Sequence, residues 1–380
     1  MNSVDFKMST RLVFGPGTLD QIGDLASELQ FRRTLLVADQ GIGKVGLTER
    51  AKQLLAAAGI EVFSFEQFSI NPDSAMVTSG VDFAATTNCD SIIGLGGGSS
   101  LDCAKGINLI LTNGGHISDY RGYGHSKKPL LPMIGIPTTA GTGSEAQSYA
   151  VIADTNTGLK MACGDEQLAF AIALLDPELT LSQPTNVTAA AGFDAIAHAV
   201  ETSVTTRRNE VSSLFSKEAF NLLNHNYEKV LSNPSDVSAR SAMHLGAFYA
   251  GLAIEQSMLG AAHACANPLT AQYRLTHGVA LAILLPHIVR WNAVSNGELY
   301  RDLVAPTRNS YFSGSAAEHL AKRLVEMGKA GGFPADLRTA GVQQNDLESL
   351  AEAAGQQWTG TFNPRPFSAR EALEVYQCAF

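Results

Sequence analysis

The chain has 380 residues, 45% hydrophobic and 17% charged, enough to bury substantial cores in two domains. Its 27 basic against 36 acidic residues give a net charge of −9, which excludes a basic nucleic-acid face. No uninterrupted apolar stretch reaches membrane-span length.

The first residues, "MNSVDFKMSTRLVFG", lack the basic start and long apolar run of a secretory leader. Five scattered cysteines, Cys89, Cys103, Cys163, Cys265 and Cys378, show no CxxC spacing and suit a reduced, cytoplasmic chain. "RTLLVAD" (33–39) reads as a strand, "LTERAKQLLAAAG" (47–59) as a helix closed by Gly59, and "EVFSFE" (61–66) as another strand. "SIIGLGGGSS" (91–100) is a strand running into a glycine turn, and "PMIGIPTTAGTGSE" (132–145) repeats that design. Strands alternating with helices predict a parallel α/β sheet with its ligand at the carboxyl ends of the strands. After "DPELTLSQP" (176–184) strand-like runs disappear and alanine-rich helical periodicity takes over. The expected division is an α/β domain over 1–183 and an all-helical domain over 184–380.

The turn "GLGGGSSLDCAKG" (94–106) offers bare backbone and a helix N-terminus, the features that admit phosphate oxygens. It is neither G-x-G-x-x-G nor a P-loop, since residue 99 is serine, and it serves equally as a tight structural connection. The second turn adds the hydroxyls of Thr138, Thr139, Thr142 and Ser144. Asp39 ends an earlier strand, where a carboxylate binds ribose hydroxyls and repels a 2′-phosphate.

"FDAIAHAVE" (193–201) places Asp194 and His198 four apart, on one helix face. That spacing serves a simple hydrogen bond or the chelation of one cation. Downstream, "GAAHACANPLTAQYRLTHGVALAILLPH" (260–287) sets His263 and His277 in apolar surroundings. Pro268 disfavours helical geometry at Asn267, so His263 is expected to end one helix and His277 to begin the next. Asp194, His198, His263 and His277 would then form a three-nitrogen, one-oxygen site suited to Fe²⁺ or Zn²⁺. His244 reads as a helix surface or a satisfied core residue, and His287 as a second-choice site residue.

The segments "GGGSSLDCAKGI", "IPTTAGTGSE", "FDAIAHAVE", "HACANPL", "THGVALAILLPH" and "FNPRP" resemble the iron-containing (group III) alcohol dehydrogenases, from "LVFGPG" onward. The resemblance implies a Rossmann-like α/β nucleotide domain and a C-terminal helical metal domain, an architecture shared with dehydroquinate synthase-like enzymes. It implies NAD, with NADP as the alternative, and Fe²⁺, with Zn²⁺ as the alternative. The implied activity is reversible hydride transfer between nicotinamide C4 and a small alcohol or aldehyde at the metal, in a cytoplasmic homodimer or larger homo-oligomer with no nucleic-acid or membrane partner. Carried over by position, the cofactor contacts are Asp39, Asn71, Gly97, Gly98, Ser99, Thr138, Thr139, Thr142, Lys160 and Leu179. The substrate pocket is Tyr149, Val151, Leu259, Trp358, Thr359 and Phe362. One departure stands out. The family often has a second histidine four residues after the first in the "HACANPL" segment, near the nicotinamide; here it is Asn267, which cannot shuttle protons near neutral pH. The rival readings are a glycerol-dehydrogenase-like polyol oxidoreductase, a sugar-phosphate cyclising synthase, a metal-free maleylacetate-reductase-like enzyme and a non-enzymatic nucleotide or metal sensor.

Overall fold

The computed structural model describes residues 4–68, 72–158, 160–304 and 315–380. They form two compact units, Lys7–Ser182 and Gln183–Phe380, residues 4–6 belonging with the second.

The first unit holds β1 (Arg11–Phe14), α1 (Ile22–Glu28), β2 (Arg33–Val37), α2 (Gln40–Lys44), α3 (Leu47–Ala57), β3 (Glu61–Phe65), α4 (Ser74–Ala85), β4 (Ser91–Gly96) and α5 (Gly98–Asn113). Then come β5 (Gly122–Tyr123), β6 (Met133–Pro137), β7 (Tyr149–Ala153), β8 (Lys160–Gly164) and β9 (Ile172–Leu175). Six strands pair in parallel in the order β1-β9-β6-β4-β2-β3. Alternate residues feed two apolar layers. Leu35, Val37, Ile92 and Met133 join one, and Leu36, Ile93, Leu95, Ile134 and Ile136 the other. Strands buried on both faces in this way need helices on both sides, which is the parallel-sheet solution.

The segment after β6 departs from the expected strand-to-helix repeat. It makes a single 3-10 turn at Ser144–Ala146 and returns as the antiparallel pair β7–β8, with β5 beside β8. Gly143, at φ 62°, reverses the chain there, and the carbonyls that a helix would have used are taken by Lys105 of α5.

The second unit is helical among the described residues: α6 (Thr185–Thr202), α7 (Glu210–Ser232), α8 (Val237–Ser257), α9 (Ala261–Tyr273), α10 (His277–Asn296), α11 (Arg301–Val304), α12 (Ala316–Ala330), α13 (Leu347–Gly355) and α14 (Ala369–Ala379). α6 is its central element, packed by α7, α8 and α10. Its alanines Ala195, Ala197 and Ala199 are all fully buried, so neighbouring helices approach closely. The closest approach is at Gly278, where a Cβ would lie 1.9 Å from the Ala190 carbonyl oxygen. A side chain there would push the start of α10 off α6.

Two expectations are corrected. His263 opens a helix rather than ending one, and α9 runs through Pro268 to Tyr273. Pro268 removes one intrahelical donor, but α9 is buried on all sides over its first turns, at Ala261, Ala262, Ala264, Cys265, Ala266 and Leu269, and that burial holds the helix together. His244 is neither exposed nor satisfied: it is fully buried and neither ring nitrogen has a hydrogen-bond partner. The stretch His277–Val304 is long and apolar enough to cross a membrane by length and composition; 61% of its most apolar 18-residue window is buried inside the protein, as in a core helix.

Candidate metal centre and nucleotide turns

Asp194 and His198 stand one turn apart on α6, His263 is the third residue of α9, and His277 is the first of α10. Three imidazole Nε2 atoms converge on one carboxylate oxygen. From Asp194 Oδ1 they lie at 3.4 Å (His198), 3.5 Å (His263) and 3.9 Å (His277). The His198 and His263 rings stack with centroids 4.8 Å apart. Donor atoms of Asp194, His263 and His277 all lie within 4.8 Å of one another, and His198 stands beside that set.

These separations are long for good hydrogen bonds. They suit a shared ion: donors about 2.0–2.2 Å from one tetrahedral cation stand roughly 3.3–3.6 Å apart. Asp194 Oδ1 and His263 Nε2 are both buried, and neither has a hydrogen-bond partner. Orphaned atoms of complementary type facing each other in a closed site are what a cation would satisfy. The charge count agrees, because Asp194 and Glu201 bring two buried carboxylates to the cluster, a balance that a divalent ion neutralises. Imidazole and carboxylate together suit Fe²⁺ or Zn²⁺.

Sequence reasoning missed Glu201. Its Oε2 accepts from His263 Nδ1, and its Oε1 accepts the Ala262 N–H at 2.7 Å. One carboxylate therefore caps the start of α9 and fixes the His263 tautomer, leaving the Nε2 lone pair aimed at Asp194. The signal was there: Glu201 lies three residues after His198 and seven after Asp194, on the same face of a helix with no other charge. Asn363, from the "FNPRP" segment, adds to the cap, its Oδ1 accepting the Ala261 N–H at 3.3 Å. His277 Nδ1 pairs with Thr270 Oγ1 at 3.3 Å.

The same groups also bind protons. Burial would push the His263 imidazole down, but the Glu201 and Asp194 carboxylates outweigh it and lift it to about 9. Burial works against the Asp194 carboxylate, yet His198, His263 and His277 hold it well below the usual carboxylate range. A cation and these protons compete for the same lone pairs.

In the first unit, three neighbouring strands, β6, β4 and β2, end side by side. Thr138 follows β6, Gly97 and Gly98 follow β4, and Asp39 follows β2. Gly97 and Gly98 open α5, and the second turn packs straight onto them: a Cβ on Gly98 would lie 2.6 Å from Thr142 Cγ2. The Gly97 site is similar, 3.2 Å from Thr139 Cγ2. Asp39 caps α2 by accepting from Gly41 N at 2.8 Å, and Ser100 Oγ donates to its Oδ2 at 3.2 Å. Ser99 is half-buried beside these glycines, and Lys160 starts β8. Leu179 is 2% exposed, its side chain in the apolar layer with Leu174 and Ile22. Asn71 lies outside the described residues.

Of the substrate-pocket candidates, Tyr149 and Val151 lie on β7 in the first unit. In the second, Asn267 Nδ2 donates to Gln357 Oε1 at 3.1 Å, which ties α9 to the turn carrying Trp358, Thr359 and Phe362. The Trp358 ring meets Phe362 edge-on at 5.6 Å. Thr359 is buried with its hydroxyl unpartnered, and Leu259 lies half-buried between α8 and α9. His287 is apart from the metal cluster, in a surface pocket of about 560 Å³ with Trp291, Glu374 and Cys378.

Comparison with known proteins covers both units. Residues 9–177 match the family model for iron-containing alcohol dehydrogenase, and residues 188–380 match that for the C-terminal part of the Fe-containing alcohol dehydrogenase family. The chain is 32% identical over 370 residues to the NAD-dependent methanol dehydrogenase of Bacillus methanolicus, covering 97% of each. It is 35% identical over 373 residues to alcohol dehydrogenase 4 of Schizosaccharomyces pombe, covering 97% of this chain and 87% of that one. A crystal structure of a 1,3-propanediol oxidoreductase superposes with a TM-score of 0.93 at 31% identity over 100% of both chains. With both halves matched, the chain belongs to the iron-containing alcohol dehydrogenase family.

Proposed function

We propose that this protein is an NAD-linked dehydrogenase of small primary alcohols, working in reverse as an aldehyde reductase, with Fe²⁺ held by Asp194, His198, His263 and His277. The observation that carries this reading is the convergence of imidazole nitrogens on the unpartnered, buried Asp194 Oδ1. It favours the metal-dependent readings over a maleylacetate-reductase-like one. When bound, the ion supplies a Lewis acid for the substrate oxygen and the nicotinamide a hydride acceptor at C4.

The chain's own residues bind, orient and select. Glu201 holds the His263 tautomer that leaves Nε2 free to act as a ligand. Asp39 binds ribose hydroxyls and opposes a 2′-phosphate, which favours NAD over NADP. Gly97 and Gly98 leave room for phosphate oxygens at the start of α5. Ser99, Thr138, Thr139 and Thr142 supply hydroxyls, with Asn71, Lys160 and Leu179 completing the nucleotide site. Leu259, Trp358, Thr359 and Phe362 of the second unit contact the substrate with a largely apolar surface that suits a modest aliphatic group, and Tyr149 and Val151 are the first unit's candidates for that role. Asn267 orients neighbours but cannot carry a proton at neutral pH, so proton release falls to water or a cofactor ribose hydroxyl. Residues 1–183 and 184–380 act as the nucleotide domain and the metal and substrate domain. Five free thiols support a reducing, cytoplasmic setting, and the family resemblance supports a homodimer or larger homo-oligomer.

The test is NADH oxidation against a panel of aldehydes, with metal analysis of the same sample. His263→Ala, His277→Ala and Asp194→Ala should each lose the metal and nearly all activity while retaining NADH binding. Wild-type metal content in these variants would overturn the ligand set.

A further inference from the structure

Lys105 lies two turns into α5 and is fully buried. Its ammonium donates to three main-chain carbonyls, Ser144 O at 2.7 Å, Gln147 O at 2.6 Å and Tyr149 O at 2.9 Å. With Ser144 Oγ also within reach at 3.3 Å, the three N–H donors have no lack of acceptors. Ser144 and Gln147 belong to the irregular segment between β6 and β7, which has no regular ladder to satisfy their carbonyls, and Tyr149 is the first residue of β7. Asp102, one turn earlier on the same face of α5, completes the clamp. Its Oδ1 accepts from Ser144 Oγ at 2.6 Å and its Oδ2 from Val151 N at 3.2 Å.

That segment carries the second nucleotide turn. Gln147 Nε2 donates to Thr142 O at 3.0 Å, so the Lys105-held residues in turn hold Thr142. Thr142 is the residue packed against the Gly98 backbone. A buried ammonium on α5 thus sets how the threonine turn lies against the glycine turn of the same helix.

We propose that Lys105 is a positioning residue for dinucleotide binding: it locks the 142–149 segment so that the two turns form one preorganised cradle before the cofactor arrives. This rests on the nucleotide-domain reading above. A lysine suits the task because one short, strongly charged head reaches three diverging carbonyls, where a neutral amide reaches at most two.

The test has two arms. In the first, Lys105→Met and Lys105→Gln are compared with wild type for NADH dissociation constant, metal content and circular dichroism. The expected result is a graded loss of NADH affinity, tenfold or more for Met and smaller for Gln, with metal content unchanged because the ligands lie in the other unit. A folded Lys105→Met protein that binds NADH within twofold of wild type overturns the proposal. The second arm needs no variant: hydrogen exchange of the wild-type protein with and without NADH. Amides of 142–151 should exchange slowly in both states. Fast exchange that slows only on nucleotide binding would show that the cofactor, not Lys105, builds the cradle, and would overturn the proposal even if both variants fail to fold. A wild-type protein that binds no NADH sinks the dehydrogenase reading itself, and this proposal with it.

Discussion

Glu201→Gln isolates the support of the metal site from the site itself. In the wild-type protein Glu201 Oε1 accepts the Ala262 N–H at 2.7 Å while Oε2 accepts from His263 Nδ1. Glutamine is nearly the same size, so the fold is not at stake. If its oxygen keeps the Ala262 contact, its NH₂ faces His263 Nδ1. Two donors cannot face each other, so Nδ1 must become the acceptor and the ring proton moves to Nε2, the atom aimed at Asp194. If the amide flips instead, the buried Ala262 N–H loses its acceptor, at about 1–3 kcal/mol. The first arrangement takes the Nε2 lone pair from the metal, and both remove the carboxylate charge beside it. Glu201 also raises the proton affinity of His263, so its removal relieves proton competition. A divalent ion carries twice the charge of a proton, however, so loss of the carboxylate weakens the ion more. Losing the hydrogen-bond partner behind a metal-ligating histidine costs about 10–100-fold in metal affinity, roughly 1.4–2.7 kcal/mol, and the tautomer reversal puts this variant towards the upper end. The assay is a chelator-competition titration with Fe²⁺ or Zn²⁺ from pH 6.5 to 9. Wild-type affinity should climb with pH through that window, as the proton held by His263 up to about 9 is surrendered. The variant should bind more weakly and with a flatter pH dependence. Wild-type affinity in a folded Glu201→Gln protein would refute the tautomer argument.

Asp39→Asn keeps an oxygen for the Gly41 N–H that caps α2 but removes the charge, so NADPH use should rise relative to NADH without loss of stability; an unchanged ratio of kcat/KM values counts against Asp39 as the selector. Asn267→His should introduce an imidazole titrating near its ordinary value of about 6.5 and give kcat a new pH-dependent limb between roughly pH 6 and 8, with metal content checked alongside; an unaltered kcat–pH profile would mean that position 267 has no access to the reacting proton. His244, which burial pushes down to about 3, is neutral in the folded protein but charges in the unfolded chain below about pH 6.5. Its folded value is depressed, so the unfolded state binds the extra proton and stability is lost as pH falls from about 6.5 towards 3. His244→Leu should therefore flatten the fall in urea midpoint between pH 7 and 5, and a variant that stays equally acid-sensitive would place the sensitivity elsewhere.

The parts of this molecule that were legible in the sequence are those set by local periodicity. β2, β3 and β4 show as apolar runs closed by turn residues, and Asp194 with His198 shows as an i,i+4 pair because a helix of 3.6 residues per turn puts them on one face. What was not legible depends on partners far along the chain. Pro268 read as a boundary because the rule for the residue before proline is local, whereas α9 persists through the burial of its first turns. Residues 138–146 looked like a second strand-to-helix turn. They end in a hairpin because Lys105, some forty residues upstream, takes the carbonyls that a helix would have used.

The metal cluster shows how the two kinds of information combine. The sequence supplies the donors but not the distance between them. Asp194 and His198 are spaced by their own helix; His263 and His277 are not. His263 is set by Glu201, which grips both its ring and the first turn of α9 from α6. His277 is set by an absence: with no side chain at Gly278, α10 can begin against the Ala190 backbone, one turn before Asp194 on the same helix. The nitrogen at 3.9 Å from Asp194 Oδ1 therefore depends on a glycine that touches no ligand. Restoring even a methyl group there would meet backbone rather than a movable side chain. The residues around the donors are under as tight a steric demand as the donors themselves, because the separation that suits a cation tolerates only tenths of an ångström.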